Sequence, residues 1–261
     1  MHASDAGAAG SFMAQAPTTA AGLAVRDVSM RFGGVQALSS VNLDVAPATV
    51  TGLIGPNGAG KTTLFNVISG LLKPTEGSVH LAGTSLDRLT PHRRARRGLS
   101  RTFQRLEVFG SLTVRDNVLA GVEFHRSWSR DRSDPGRKTD QLLELAGLRA
   151  CADARVDTLP TGLARLVELA RALATDPKVL LLDEPASGLD SQETEAFDSL
   201  LANLAHEGLA VLLVEHDIEL VMRVCASIYV LDFGKIIATG TPEEVRADPD
   251  VQAAYLGALA M

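Results

Sequence analysis

One stretch constrains this chain more than any other. Gly55-Pro56-Asn57-Gly58-Ala59-Gly60-Lys61-Thr62-Thr63 reads G-x-x-x-x-G-K-[ST], a phosphate-binding loop. The string has meaning only between a strand and a helix, and both flanks fit. Thr49 to Ile54 is a short, mostly apolar run rich in β-branched residues, suited to a buried strand. Lys61 to Gly70 carries Leu64, Phe65, Val67 and Ile68 at helical spacing and closes on a glycine. Gly55, Gly58 and Gly60 allow backbone conformations and close approaches denied to other residues. The loop's N–H groups and the positive end of the following helix then converge on an anion. Lys61 reaches the terminal phosphates and Thr62 offers a hydroxyl to Mg²⁺. The whole stretch, with Pro56, Asn57, Ala59 and Thr63, is assigned to the nucleotide.

A second chemical cluster lies downstream. Val179-Leu180-Leu181-Leu182-Asp183-Glu184 is an apolar strand ending in two carboxylates. Asp183 then stands at the C-terminal edge of a sheet, where open α/β folds bind ligands, and suits Mg²⁺ directly or through water. Glu184 points differently and is placed to polarise a water attacking a γ-phosphate. Ser187-Gly188-Leu189-Asp190 follows. Val214-Glu215-His216-Asp217 ends another apolar strand, putting the His216 imidazole beside the γ-phosphate or against Glu184. Thr102-Phe103-Gln104 stands where the α/β pattern gives way to helices.

The pattern around these motifs predicts the architecture. Leu23 to Arg31, Ala37 to Val45 and Gly77 to Leu81 alternate as strands of a small antiparallel layer. From Gly162 onward, helices over Arg165 to Ala174, Ser191 to Glu207 and Asp217 to Cys225 alternate with strands over Val179 to Asp183, Ala210 to Val214 and Ile228 to Leu231. That alternation predicts a mainly parallel sheet covered on both faces. Between Pro91 and Leu159 the pattern breaks into helices, Thr113 to Val122 and Gln141 to Leu148, and a polar loop over Arg126 to Lys138 with Trp128 as a local packing residue. Arg93-Arg94-Ala95-Arg96-Arg97 reads first as a solvated helix face. Thr241-Pro242-Glu243-Glu244 is a capping box with proline at the first helical position.

Composition narrows the partners. A net charge of −6 argues against nucleic acid, which leans on a basic surface. Cys151 and Cys225 are too far apart in sequence for a metal motif and read as buried free thiols in a reducing compartment. No apolar run has the length of a bilayer span. Met1 to Gly22 is rich in Ala, Gly, Ser and Thr, has no Lys or Arg to form a signal peptide's charged region, and is expected to be a disordered tail.

From about Leu23 to Gly257 the chain resembles the nucleotide-binding subunit of an ABC transporter. The phosphate loop, Gln104, Asp183-Glu184, Ser187 to Asp190 and His216 occur in that family's order and at about its spacing. The resemblance implies a P-loop, RecA-like α/β core with an antiparallel β layer and an α-helical subdomain. It places the ATPase domain over 23–241, with core at 23–90 and 160–241, helical subdomain at 91–159 and a C-terminal helical segment at 242–261. It implies ATP and Mg²⁺ as cofactors, Glu184 as catalytic base and His216 as switch histidine. Gln104 senses the γ-phosphate and joins Thr62 and Asp183 at the metal. Phe32 stacks on adenine and Asp190 contacts a second cassette, whether an identical copy or a paralogue. Transmembrane permeases hold such a subunit on the cytoplasmic face of the membrane, and an extracytoplasmic solute-binding protein acts indirectly.

Arg101-Thr102-Phe103-Gln104 and the ending Gly240-Thr241-Pro242-Glu243-Glu244 with Tyr255-Leu256-Gly257 look like the ATPases of branched-chain amino acid importers. Cassettes for urea or short-chain amide uptake and for lipopolysaccharide export are similar. One motif departs from the family. The signature Leu-Ser-Gly-Gly-Gln stands here as Leu159-Pro160-Thr161-Gly162-Leu163. In the family this loop caps the γ-phosphate on the other subunit, so Thr161 and Gly162 inherit that contact. Pro160 brings neither a side-chain donor nor an N–H. Two alternatives compete with transport. A soluble ABC ATPase acting on DNA or ribosomes would carry long coiled-coil insertions or two cassettes. A non-hydrolysing nucleotide switch would explain the altered signature but not intact Asp183, Glu184 and His216.

Overall fold

The computed structural model describes residues 22–259. The expected tail therefore lies outside the described residues, apart from Gly22. The chain runs β1 (Leu23–Phe32), β2 (Val35–Val45), β3 (Val50–Ile54), α1 (Lys61–Ser69), β4 (Glu76–Leu81), β5 (Thr84–Ser85), α2 (Pro91–Ala95) and β6 (Leu99–Arg101). It continues with α3 (Val114–Arg126), α4 (Pro135–Leu145), α5 (Thr161–Leu173), β7 (Val179–Asp183), α6 (Ser191–His206), β8 (Ala210–Val214) and α7 (Ile218–Val224). The strands β9 (Ser227–Asp232) and β10 (Lys235–Gly240) and the helices α8 (Pro242–Ala247) and α9 (Pro249–Leu259) complete it.

Two sheets form. One is antiparallel, in the order β2-β1-β4-β5. The other has the order β10-β9-β3-β8-β7-β6 and is parallel except for the β9–β10 hairpin. The central strands are buried along their whole length, and mostly apolar, because both their faces are covered. On β7, Val179 and Leu181 pack towards α1 and the antiparallel sheet, while Leu180 and Leu182 pack towards α3, α5 and α6. β8 divides its residues the same way, Leu212 to one side and Leu213 to the other. Two apolar layers thus clamp β3, β7 and β8, and their C-terminal ends are fixed side by side.

Several details depart from the sequence reading. Leu99–Arg101, inside the stretch read as helical insertion, pairs with β7 as the parallel edge of the large sheet. Part of the stretch read as a loop over Arg126 to Lys138 is helix. Asp134 caps the start of α4 by accepting from Arg137 N–H, with Pro135 in the first turn. Arg94 breaks the solvated-face reading. It is 3% exposed and donates to the carbonyls of Val67 and Ile68 at 2.9 and 2.7 Å, serving the open C-terminal end of α1. Both thiols are free, but only Cys225 is fully buried, which pushes its pKa up to about 12. Trp128 stacks on His125 with ring centres 4.7 Å apart.

Candidate active site

The glycine loop bridges the end of β3 and the start of α1. Gly55 has φ of +153°, and a Cβ there would lie 2.0 Å from the carbonyl oxygen of Leu231, so no side chain fits. Gly234 N–H donates to Ala59 O at 2.8 Å, so the β9–β10 turn braces the loop from beneath. Lys61 Nζ donates to the carbonyls of Gly55 and Pro56 at 2.6 and 3.1 Å, which holds its ammonium over the loop. Burial lowers its pKa, opposed by Glu184 and Asp183.

A 230 Å³ pocket opens here, lined by Asn57 to Thr63, Gln104, Asp183, Glu184, Val214 and His216. Four separate stretches of chain meet in it. Glu184 stands at their junction. Its Oε1 accepts from Gln104 Nε2 at 3.1 Å and lies 2.7 Å from His216 Nε2, which donates in the Nε2–H tautomer. The Glu184 backbone has φ of +51°, left-handed geometry that a non-glycine residue adopts only under constraint. Asp183 is buried, and burial raises its pKa against the pull of Arg101, whose Nη2 sits 3.1 Å from its Oδ2. The segment carrying Gln104 is held from α5, where Arg165 donates to the carbonyls of Phe103 and Gln104.

Thr161, Gly162 and Asp190 lie outside that pocket, where Thr161 and Gly162 sit against the Gly188–Leu189 turn that leads into Asp190. Pro160 is the N-cap of α5 and makes no side-chain cap; Thr161 opens the helix. Gly162 faces the start of α6 so closely that a Cβ would stand 2.8 Å from Glu193 Oε2 and 2.9 Å from Gly188 O. Asp190 caps α6, accepting from Glu193 N–H at 2.8 Å while Glu193 Oε2 accepts from Asp190 N–H at 2.9 Å. Phe32 ends β1, is 46% exposed, and does not line the phosphate pocket.

Val214, Arg101 and Glu215 belong to the site's framework, and the sequence did not single them out. Arg101 stood in the Arg-Thr-Phe-Gln run and Glu215 beside His216. Nothing local to either residue signals that it is buried.

A phosphate loop after the central strand of a parallel sheet, with paired carboxylates ending a strand two places away, defines a nucleoside-triphosphate hydrolase of the P-loop class. The chain belongs to the ABC transporter family, whose model matches residues 38–187; a second model, for branched-chain amino acid ATP-binding cassette transporters, matches residues 235–260. It is 41% identical over 248 residues to the high-affinity branched-chain amino acid transport ATP-binding protein LivG of Escherichia coli, spanning 90% of this chain and 97% of that one. It is 36% identical over 235 residues to the lipopolysaccharide export system ATP-binding protein LptB of Haemophilus influenzae, at the same coverage of 90% and 97%. A nucleotide-free ATP-binding cassette from an ABC transporter superposes with a TM-score of 0.80 at 31% identity, covering 89% of this chain and 98% of its own. A dimeric ATP-binding cassette in a post-hydrolysis state with ADP and phosphate gives 0.75 at 28%, covering 84% and 98%. The chain is accordingly an ATP-binding, ATP-hydrolysing transport subunit.

Proposed function

We propose that this subunit powers the uptake of branched-chain amino acids through partner permeases, from the cytoplasmic face of the membrane. The observation that carries the hydrolytic half is the convergence of Gln104 and His216 on one oxygen of Glu184, in the pocket shared with Lys61 and Asp183. Glu184 serves as the base that orients and deprotonates the attacking water. His216 and Gln104 hold its carboxylate and read the γ-phosphate. Lys61 and the loop N–H groups hold the phosphates.

The donor set fits Mg²⁺. The Thr62 hydroxyl, the Gln104 amide and Asp183 are hard oxygen ligands, and Arg101 engages only Oδ2 of Asp183. When bound, the ion supplies charge neutralisation at the β- and γ-phosphates. Phe32 is assigned to adenine. Thr161, Gly162 and Asp190, displaced from the phosphate pocket, are assigned to the nucleotide and loop of a second cassette, identical or paralogous. The dimeric relative supports that arrangement.

Among the described residues no helix is long and apolar enough to cross a membrane. Membrane attachment is therefore assigned to a groove of 470 Å³ beside Gln104, bordered by the exposed Phe103, Phe109 and Phe124. We assign 91–159, except for β6, to the helical subdomain that carries this groove. The solute follows from the likeness to LivG and from the match at residues 235–260.

Uptake of labelled leucine, isoleucine and valine by cells deleted for the chain tests the reading. Uptake is expected to fall and to return with the wild-type chain but not with Glu184→Gln. Normal uptake alongside defective lipopolysaccharide export or urea uptake would overturn the solute.

A further inference from the structure

Glu215 is 6% exposed, directly precedes His216 after β8, and reaches across to the segment that carries Glu184. Its Oε1 accepts from Ala186 N–H at 2.8 Å, and its Oε2 accepts from His216 N–H at 3.2 Å. On the other side of Glu184, its own N–H donates to Val214 O at 2.9 Å. The three residues Glu184, Pro185 and Ala186 are thus tied at both ends to the end of β8. Between those ties sits the left-handed backbone of Glu184, φ +51°. Such a conformation persists only where the surroundings over-determine it.

We propose that Glu215 is a positioning residue for ATP hydrolysis: its buried carboxylate clamps the 184–186 loop to His216 and so holds Glu184 on its imidazole partner. This rests on Glu184 being the base. Both oxygens are needed as acceptors because both partners are backbone donors. A carboxylate offers two acceptor oxygens, whereas an amide of the same shape offers one and turns its NH₂ towards an N–H. Burial raises the pKa of Glu215, and the two N–H bonds offset part of that shift.

Steady-state hydrolysis by the wild type, Glu215→Gln, Glu184→Gln and the double variant tests the clamp. Thermal melting and equilibrium binding of a fluorescent ATP analogue accompany the kinetics. Glu215→Gln is expected to melt cooperatively and to bind the analogue within about twofold of wild type. Its kcat is expected to fall by about tenfold or more with KM little changed, because the base is misplaced and not the nucleotide. The double variant is expected to be no slower than Glu184→Gln, since the loss acts through that residue. Glu215→Asp keeps the charge but withdraws its reach, and its kcat should fall similarly; it decides the question if the amide variant does not fold. Inactive Glu184→Gln beside fully active Glu215→Gln, or a further tenfold loss in the double variant, would overturn the clamp alone. Wild-type hydrolysis by Glu184→Gln would overturn the base and the clamp together.

Discussion

Arg101 and Asp183 form a buried ion pair, Nη2 to Oδ2 3.1 Å, with side chains 7% and 5% exposed. The same guanidinium donates through Nη1 to Asn66 Oδ1 at 2.7 Å and Ser69 Oγ at 3.1 Å, both on α1. It lies between the rings of Phe65 and Phe103, 5.3 and 4.8 Å from their centres. One side chain from the sheet edge therefore fixes the Asp183 carboxylate, the helix of the phosphate loop and the start of the Gln104 segment.

Breaking this pair is expected to be expensive. Arg101→Met leaves Asp183 buried and unpaired and should lower stability by about 3–5 kcal/mol. Arg101→Lys should recover part of it, because a point charge reaches Asp183 but cannot span Asn66 and Ser69 as well. Denaturant unfolding with and without ATP checks both; unchanged stability in Arg101→Met would mean that water replaces the guanidinium.

Glu184→Gln is expected to bind ATP normally, to lose about 10²–10⁴ in hydrolysis and to accumulate as a nucleotide-bound dimer. Phosphate release and size-exclusion chromatography in ATP measure the two effects. Wild-type turnover would remove Glu184 from the chemistry.

Pro160 occupies the N-cap of α5 without capping it. Pro160→Ser adds an acceptor for the first-turn N–H groups, worth about 1 kcal/mol of stability. If this loop meets the nucleotide of a second cassette, as proposed above, the new hydroxyl also adds a donor there. Hydrolysis or ATP-driven dimerisation should rise by about tenfold, below the ~10²–10³ that one well-placed donor supplies. A gain in melting temperature with neither activity changed would assign Pro160 a purely local role.

Glu168 on α5 is 4% exposed, and its pKa is raised chiefly by burial, against the opposing pull of Phe103 N–H and Arg165. The folded chain then holds this proton more tightly than the unfolded one. Its contribution to stability is fully present below the ordinary glutamate value of about 4.3 and is lost as pH rises through the raised value. Across that window wild type should lose stability relative to Glu168→Gln, in thermal melts at stepped pH. A constant difference between the two would show that Glu168 titrates normally.

The sequence carried those features whose signals lie in neighbouring residues. The phosphate loop announces itself because strand, glycines, lysine and helix are consecutive. The apolar runs of β7 and β8 state by composition that both faces are covered, and Thr241 to Glu244 specify their own capping box. Asp134-Pro135 is an equally local helix start, masked by the polar, charged residues on both sides of it.

Tertiary structure decided what depends on distant chain. β6 is a three-residue strand, too short to show a period, and exists because β7 offers it an edge. Arg94, Arg101 and Glu215 look like ordinary surface charges in sequence. Each is buried only because another element brings it a partner: the open carbonyls of α1, the Asp183 carboxylate, and the N–H groups at the ends of two parallel strands. A charge is stable in the interior only when its complement arrives there too, and that complement is set by the order of strands in the sheet. The phosphate loop was therefore legible from nine consecutive residues, whereas the left-handed placement of Glu184 beside His216 was fixed only once β7 and β8 lay side by side.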